Sequence, residues 1–322
     1  MNLPLIAILG PTAVGKTAVG ISLAERLEGE IISCDSVQVY RELNIGSAKP
    51  TPNERNRVKF HLIDIAAPNE SYDVASFKHS AEMTIAEIRG RGHVPILVGG
   101  TGLYAKALLD DYSLAAAPSP EIRARIDRLA GVDLSALYRR LQLLDPAAGA
   151  RIHHNDRRRI VRALEVYEAT GHPLTQLQRQ AEATGKRDNA ARFGLTMPRE
   201  HLYRRIEERV EKMMAAGLVA EVRSLLDHGY SSRCTGLQAL GYRQVCNAVE
   251  GRLEWAHLVP EIKKETRRFA KRQMTWFRAD PRIMWIEVSD KSADSIASEI
   301  INQLNYLHHQ SQALKTEEAN AQ

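Results

Sequence analysis

The chain has 322 residues, of which 44% are hydrophobic and 26% charged, with a formal net charge of +5. That is long enough for a sizeable core in one large or two modest domains, and too ordinary for a fibrous or disordered class. Cys34, Cys234 and Cys246 lack C-x-x-C spacing, so neither a disulfide framework nor a zinc site is indicated, and each is expected as a small buried or half-buried thiol.

The N-terminus runs straight into an apolar segment, with no basic region or cleavage site before it, and no apolar run approaches membrane-spanning length. A cytoplasmic protein is expected. The run 3–9 reads as a buried strand. It leads into Gly10, Pro11, Thr12, Ala13, Val14, Gly15, Lys16 and Thr17, a complete phosphate-binding loop of the G-x-x-x-x-G-K-[ST] type. Gly10 and Gly15 let the backbone curl so that N–H groups point inward, and the following helix adds its positive end. Lys16 is expected to reach outer phosphate oxygens. The Thr17 hydroxyl falls where a phosphate-bound Mg²⁺ takes an oxygen ligand. Ala18, Val19, Ile21, Leu23, Ala24 and Leu27 have helical spacing. The loop alone leaves open which phosphate compound it holds, and whether phosphate is transferred or expelled.

Further strands are predicted over 30–34, ending at Asp35, over 60–65 and over 94–98, with a helix over 73–89. Short apolar strands alternating with helices imply a parallel sheet covered on both faces. Ligands bind such sheets at the carboxyl ends of the strands, where Gly10, Asp35, Gly99, Gly100 and Thr101 all fall.

The rhythm breaks over 113–198. Ser119 and Pro120 make a good helix start and helical patterns follow, with no strong strand until 193–197, so this segment is read as a helical insertion. Helices are predicted over 199–216, 219–228 and 254–278, and a last strand over 283–288. The fold class expected is α/β: a P-loop-containing parallel sheet flanked by helices (1–112 and 199–309) with an inserted all-helical domain (113–198). The polar stretch 310–322 is expected to be disordered.

Charge is unevenly spread. Residues 263–278 read K-K-E-T-R-R-F-A-K-R-Q-M-T-W-F-R and residues 151–162 read R-I-H-H-N-D-R-R-R-I-V-R. Either block suits a phosphate backbone with a few exposed bases, or simply a solvated helix face. Two such blocks beside a phosphate site favour nucleic acid.

The loop is joined by D-S-V-Q-V-Y at 35–40, G-G-T-G-L-Y at 99–104, R-R-I-V-R-A-L-E at 158–165 and L-G-Y-R-Q at 240–244. Together these five motifs resemble the tRNA dimethylallyltransferases, in order from Gly10 to about Asp280. The resemblance implies transfer of a five-carbon prenyl group from dimethylallyl diphosphate to the exocyclic amine of the adenosine 3′ to a tRNA anticodon, releasing diphosphate. It implies Mg²⁺ as cofactor, tRNA and the diphosphate donor as partners, no membrane, and a monomer.

On that resemblance Lys16, the loop amides and Arg209 stabilise the departing diphosphate. Asp35 takes the amine proton as general base, where the residues alone would also allow a Mg²⁺ ligand or a helix cap. Thr101 contacts the reacting end of the donor. Gln38 and Ser36, beside Val37, are natural readers of a base turned into the pocket, or merely caps of a turn. Contacts to tRNA are assigned to Arg123, to Arg158, Arg159, Ile160, Val161, Arg162 and Ala163, to Gly241, Tyr242, Arg243 and Gln244, and to Gln273, Trp276, Phe277 and Arg278. Trp276 could equally be core. Competing readings are a kinase using the same loop on ATP, a prenyltransferase of free adenine nucleotides, and an RNA-binding protein that only senses a nucleotide. No plain Walker-B strand stands out beyond Asp35 and Asp64, which argues against a nucleoside triphosphate hydrolase.

Overall fold

A computed structural model describes residues 4–110, 120–184 and 190–320. In chain order the elements begin with β1 (Ile6–Leu9), α1 (Lys16–Leu27), β2 (Gly29–Cys34), α2 (Pro52–Arg57), β3 (Phe60–His61), α3 (Val74–Gly90), β4 (Val94–Gly99) and α4 (Gly102–Leu109). Five helices follow: α5 (Pro120–Val132), α6 (Leu134–Leu144), α7 (Pro146–Arg151), α8 (Arg157–Thr170) and α9 (Leu174–Thr184). The chain then runs through β5 (Ala191–Thr196), α10 (Arg199–Ala215), α11 (Leu218–Asp227), α12 (Tyr242–Val249), α13 (Trp255–Arg278), β6 (Met284–Glu287) and α14 (Ala293–Asn320).

The six strands form one sheet in the order β3-β2-β4-β1-β5-β6, and every pairing is parallel. β1 and β2 are buried at every position, as strands covered on both faces must be. Ile6, Ile8, Ile31, Ile96, Phe193 and Leu195 from the sheet pack with Val19, Leu23, Leu202, Ile206 and Ile300 from the helices. The register places Leu9, Cys34 and Gly99 level with one another, so the loops after β1, β2 and β4 leave the sheet at one end.

The chain divides into two compact units, Met1–Ala105 with Asn189–Gln322, and Lys106–Asp188. The second contains α5 to α9 and a core of its own built from Ile126, Leu137, Leu141, Ile160, Val161 and Leu164. Its C-terminal limit lies earlier than the expected 198, because β5 pairs with β1 and β6 and belongs to the sheet. Ser119, expected to cap α5, lies outside the described residues.

Two further expectations are corrected. β3 covers only two residues of the strand expected over 60–65: Leu62 and Asp64 both adopt positive φ of 59°, which turns the chain out of the sheet. Helix α14 continues to Asn320, across most of the stretch expected to be disordered. The cysteines are free, with Cys34 and Cys246 buried and Cys234 half-buried. Among the described residues no helix is long and apolar enough to cross a membrane.

Candidate active site

The loop after β1 is shaped by its glycines. Gly10 has φ of +143°, and a Cβ there would lie 2.7 Å from the Leu195 carbonyl oxygen, so a side chain is excluded by both conformation and space. Ala13 and Gly15 also take positive φ, 66° and 105°. Such alternation turns consecutive amides toward a common centre, an anion-binding concavity at the N-terminus of α1.

Two cations converge on it without an anionic partner. The Lys16 ammonium donates to the Pro11 carbonyl at 2.7 Å, within its own loop. Burial, and then the nearby Arg209 charge, lower the Lys16 pKa from its usual value to about 7, while Asp35 pulls the other way. Arg209 on α10 is pushed down by burial and supported only by Asp35. Neither makes an ion pair within 4.0 Å among the described residues. One turn earlier, Arg205 brings Nη2 to 3.7 Å from where a Gly15 Cβ would stand. Sequence reasoning missed it; its signal was the i, i+4 spacing to Arg209, which puts both on one helix face.

The loops after β2 and β4 are held together. Thr101 donates its N–H to the Cys34 carbonyl at 3.2 Å, and its hydroxyl oxygen accepts from Ser36 N at 3.1 Å. Asp35 Oδ1 accepts from Val37 N at 2.8 Å and Gln38 N at 3.3 Å; these bonds fix the carboxylate at the strand end and leave Oδ2 unused. Cys34 beneath is fully buried, and burial followed by the Asp35 charge pushes its thiol well above the ordinary range, so it is a packing residue and not a nucleophile.

Several expected contacts take other roles. Gln38 accepts from Ser33 at 2.9 Å and donates to the carbonyls of Ser47 and Ala48 at 3.3 and 3.2 Å, so its amide ties its own loop and is not free to read a base. Tyr242 was expected to contact tRNA; it is fully buried, and its hydroxyl donates to Glu221 at 2.6 Å. Glu221 also accepts from the amides of Asn44, Ile45 and Gly46, so the pair fixes that loop. Gln244 is buried and caps the Gly241 amide at 2.9 Å. Ile160, Val161, Ala163 and Phe277 face cores. Val37 is half-buried; Ser36, Arg123, Arg158, Arg159, Arg243 and Arg278 are exposed, and Arg162 half-exposed. Trp276, doubtful as a platform, is 45% exposed, with one ring edge packed where a Cβ on Gly102 would stand.

No cluster of three or more His, Cys, Asp or Glu among the described residues could hold a metal by itself, and Asp64 is engaged by Lys49 and by Arg55 at 2.8 Å. Thr17, half-buried at the start of α1, offers a hard oxygen beside the anion cradle. That fits a magnesium ion that takes most ligands from phosphate and water.

This geometry has known counterparts. A family model described as IPP transferase matches residues 38–280, and one described as isopentenyl transferase matches residues 3–66. The chain is 46% identical over 305 residues, 94% of its length and 98% of the other's, to a protein of Carboxydothermus hydrogenoformans named tRNA dimethylallyltransferase. The chain belongs to the tRNA dimethylallyltransferase family. Among solved structures it is similar to a full-length tRNA isopentenylpyrophosphate transferase of Bacillus halodurans, with 39% identity, TM-score 0.73 and coverage of 97% and 99% of the two chains. A eukaryotic dimethylallyltransferase acting on tRNA matches with TM-score 0.75 and 28% identity, covering 89% of this chain and 74% of the other.

Proposed function

We infer that this chain transfers a dimethylallyl group from dimethylallyl diphosphate to the N6 amine of the adenosine 3′ to a tRNA anticodon, releasing diphosphate. The observation that carries the reading is the pair of half-buried cations, Lys16 and Arg209, which lie close enough to feel the Asp35 charge and make no ion pair within 4.0 Å among the described residues. Cations held in this way destabilise the free site and are relieved by a diphosphate.

The loop amides, Lys16 and Arg209 hold the donor and stabilise the negative charge that grows as the allylic C–O bond breaks. Arg205 adds a third cation at the mouth of the loop. Thr101 keeps the Ser36 amide and the Asp35 turn in place beside the reacting carbon. Asp35 Oδ2 receives the proton that the amine loses as its nitrogen bonds to carbon. Thr17 and the diphosphate oxygens would hold a Mg²⁺ ion, which supplies further charge neutralisation on the leaving group. An adenine must leave the anticodon stack to reach this crevice. Exposed Arg123, Arg158, Arg159, Arg243, Trp276 and Arg278, with half-exposed Arg162, are the residues we assign to the RNA backbone and bases.

Incubation with unmodified tRNA and labelled dimethylallyl diphosphate should place the label in RNA at the adenosine 3′ to the anticodon. Label entering from ATP instead, or prenylation of free AMP in preference to tRNA, would overturn the reading.

A further inference from the structure

Gln273 lies on the buried face of α13, 7% exposed, and both ends of its side-chain amide are taken by backbone atoms of the two site loops. Its Oε1 accepts from Thr12 N at 2.8 Å, and its Nε2 donates to the Gly100 carbonyl at 2.8 Å. A Cβ at position 100 would stand 2.2 Å from Nε2, so the close approach depends on Gly100 having none. From Gly100 the connection continues at once. Thr101 bonds to the Cys34 carbonyl at 3.2 Å and to the Ser36 amide at 3.1 Å, on either side of Asp35. A single planar amide therefore ties the phosphate loop to the loops that carry Thr101 and Asp35.

The sequence groups Gln273 with the RNA contacts. Its burial and its two satisfied ends leave little for an RNA surface.

We propose that Gln273 is a positioning residue for prenyl transfer, setting the separation between the loop that holds the leaving group and the loops that hold the nucleophile and its base. The proposal rests on the reading of the phosphate loop as donor site and Asp35 as base. Among the side-chain amides only glutamine and asparagine carry a donor and an acceptor on one planar group, and asparagine is one methylene too short for both loops. Methionine fills the space with neither function. Ionised glutamate keeps the acceptor for Thr12 and lacks the donor for Gly100. Displacement calls for reacting atoms in a near-attack arrangement, and an error of about 1 Å costs on the order of a hundredfold in rate.

The test uses the full chain with Gln273→Met and Gln273→Glu, measuring kcat, KM for dimethylallyl diphosphate, tRNA affinity by filter binding, and a double-mutant cycle with Thr101→Ala. We expect kcat to fall roughly tenfold to a hundredfold with tRNA affinity unchanged. The Gln273→Met and Thr101→Ala losses should fail to multiply, because both act through one loop. A role in stability alone would lower the melting temperature and give losses that multiply independently. Wild-type kcat in Gln273→Met, independent losses in the cycle, or weakened tRNA binding at undiminished kcat would each overturn the proposal, the last restoring an RNA contact. If Gln273→Met does not fold, Gln273→Glu of nearly the same shape carries the same expectations. Full activity in Lys16→Ala and Asp35→Ala would remove the underlying reading. Loss in those two with none in Gln273→Met removes the Gln273 assignment alone.

Discussion

The phosphate-loop end of the sheet and the basic face of α8 are both rich in cations, and they handle them in opposite ways. At the loop, Lys16 and Arg209 are half-buried and make no ion pair among the described residues; burial lowers the pKa of each, with the Arg209 charge adding to the effect on Lys16. On α8 three of the four arginines, Arg157, Arg159 and Arg162, have a carboxylate, and so do some of their neighbours: Arg123 and Arg162 stand 3.6 and 3.7 Å from Glu165, Arg140 stands 2.9 Å from Glu168 beside Arg125, and Arg157 pairs with Asp127. Arg159 has Asp156 at 3.4 Å. The difference separates a site that waits for an anion from a surface whose charge is mostly answered within the fold. Counting basic letters treats the two alike. Burial and pairing, which the letters do not display, decide how much a visiting phosphate gains.

The contrast can be broken most violently at its acidic member. Asp35→Ala should lower kcat by roughly a hundredfold to ten-thousandfold with tRNA affinity retained, measured by single turnover against filter binding. Weak tRNA binding with normal turnover at saturation would make Asp35 a recognition residue. Next come the unpaired cations: Lys16→Ala and Arg209→Ala should each cost on the order of a hundredfold or more in rate, again without a change in tRNA affinity. On the helical side the effects should be smaller and salt-dependent. Arg158, exposed and with no ion pair among the described residues, should reduce the slope of log affinity against log salt by about 0.9 when changed to Ala. Arg159→Ala and Arg162→Ala should change the slope less, because their charges are already partly answered; equal slopes for all three would erase the distinction. The smallest effect tests a structural assignment. Tyr242→Phe should cost about 1 to 3 kcal/mol of stability through its lost bond to Glu221, seen in denaturant unfolding, with tRNA affinity untouched.

Much of this was legible in the sequence, for reasons that differ by region. The phosphate loop is local: eight consecutive residues between a strand and a helix carry their own conformation, and Lys16, Thr17 and Asp35 stand where the letters put them. The alternation of apolar strands and helices gave the parallel sheet, though not the early end of β3, which depends on left-handed turns at Leu62 and Asp64. The RNA motifs were harder to interpret, because one short motif mixes two jobs. In R-R-I-V-R-A-L-E the arginines lie on the surface while Ile160, Val161 and Ala163 build the core of the helical unit. In L-G-Y-R-Q only Arg243 is exposed. The bonds of Gln273 to Thr12 and Gly100 were not legible, because those partners are 261 and 173 residues away, a juxtaposition that no local pattern encodes. Arg205 did carry a local signal, its i, i+4 spacing to Arg209 on α10, which went unread.

The central claim is that the loop end holds half-buried cations poised for an anion, and protonation of Lys16 reports on it directly. With its pKa lowered to about 7, the free enzyme loses the Lys16 proton as pH rises through neutrality, and a bound diphosphate should restore it. Calorimetric titration with inorganic diphosphate at about pH 8, in buffers of different ionisation enthalpy, should show proton uptake, the pH being one unit above the Lys16 value and well below the ordinary lysine value of about 10.4. The uptake should vanish in Lys16→Arg, whose guanidinium stays charged throughout. Absence of uptake by the wild-type protein, or equal uptake by Lys16→Arg, would contradict the account.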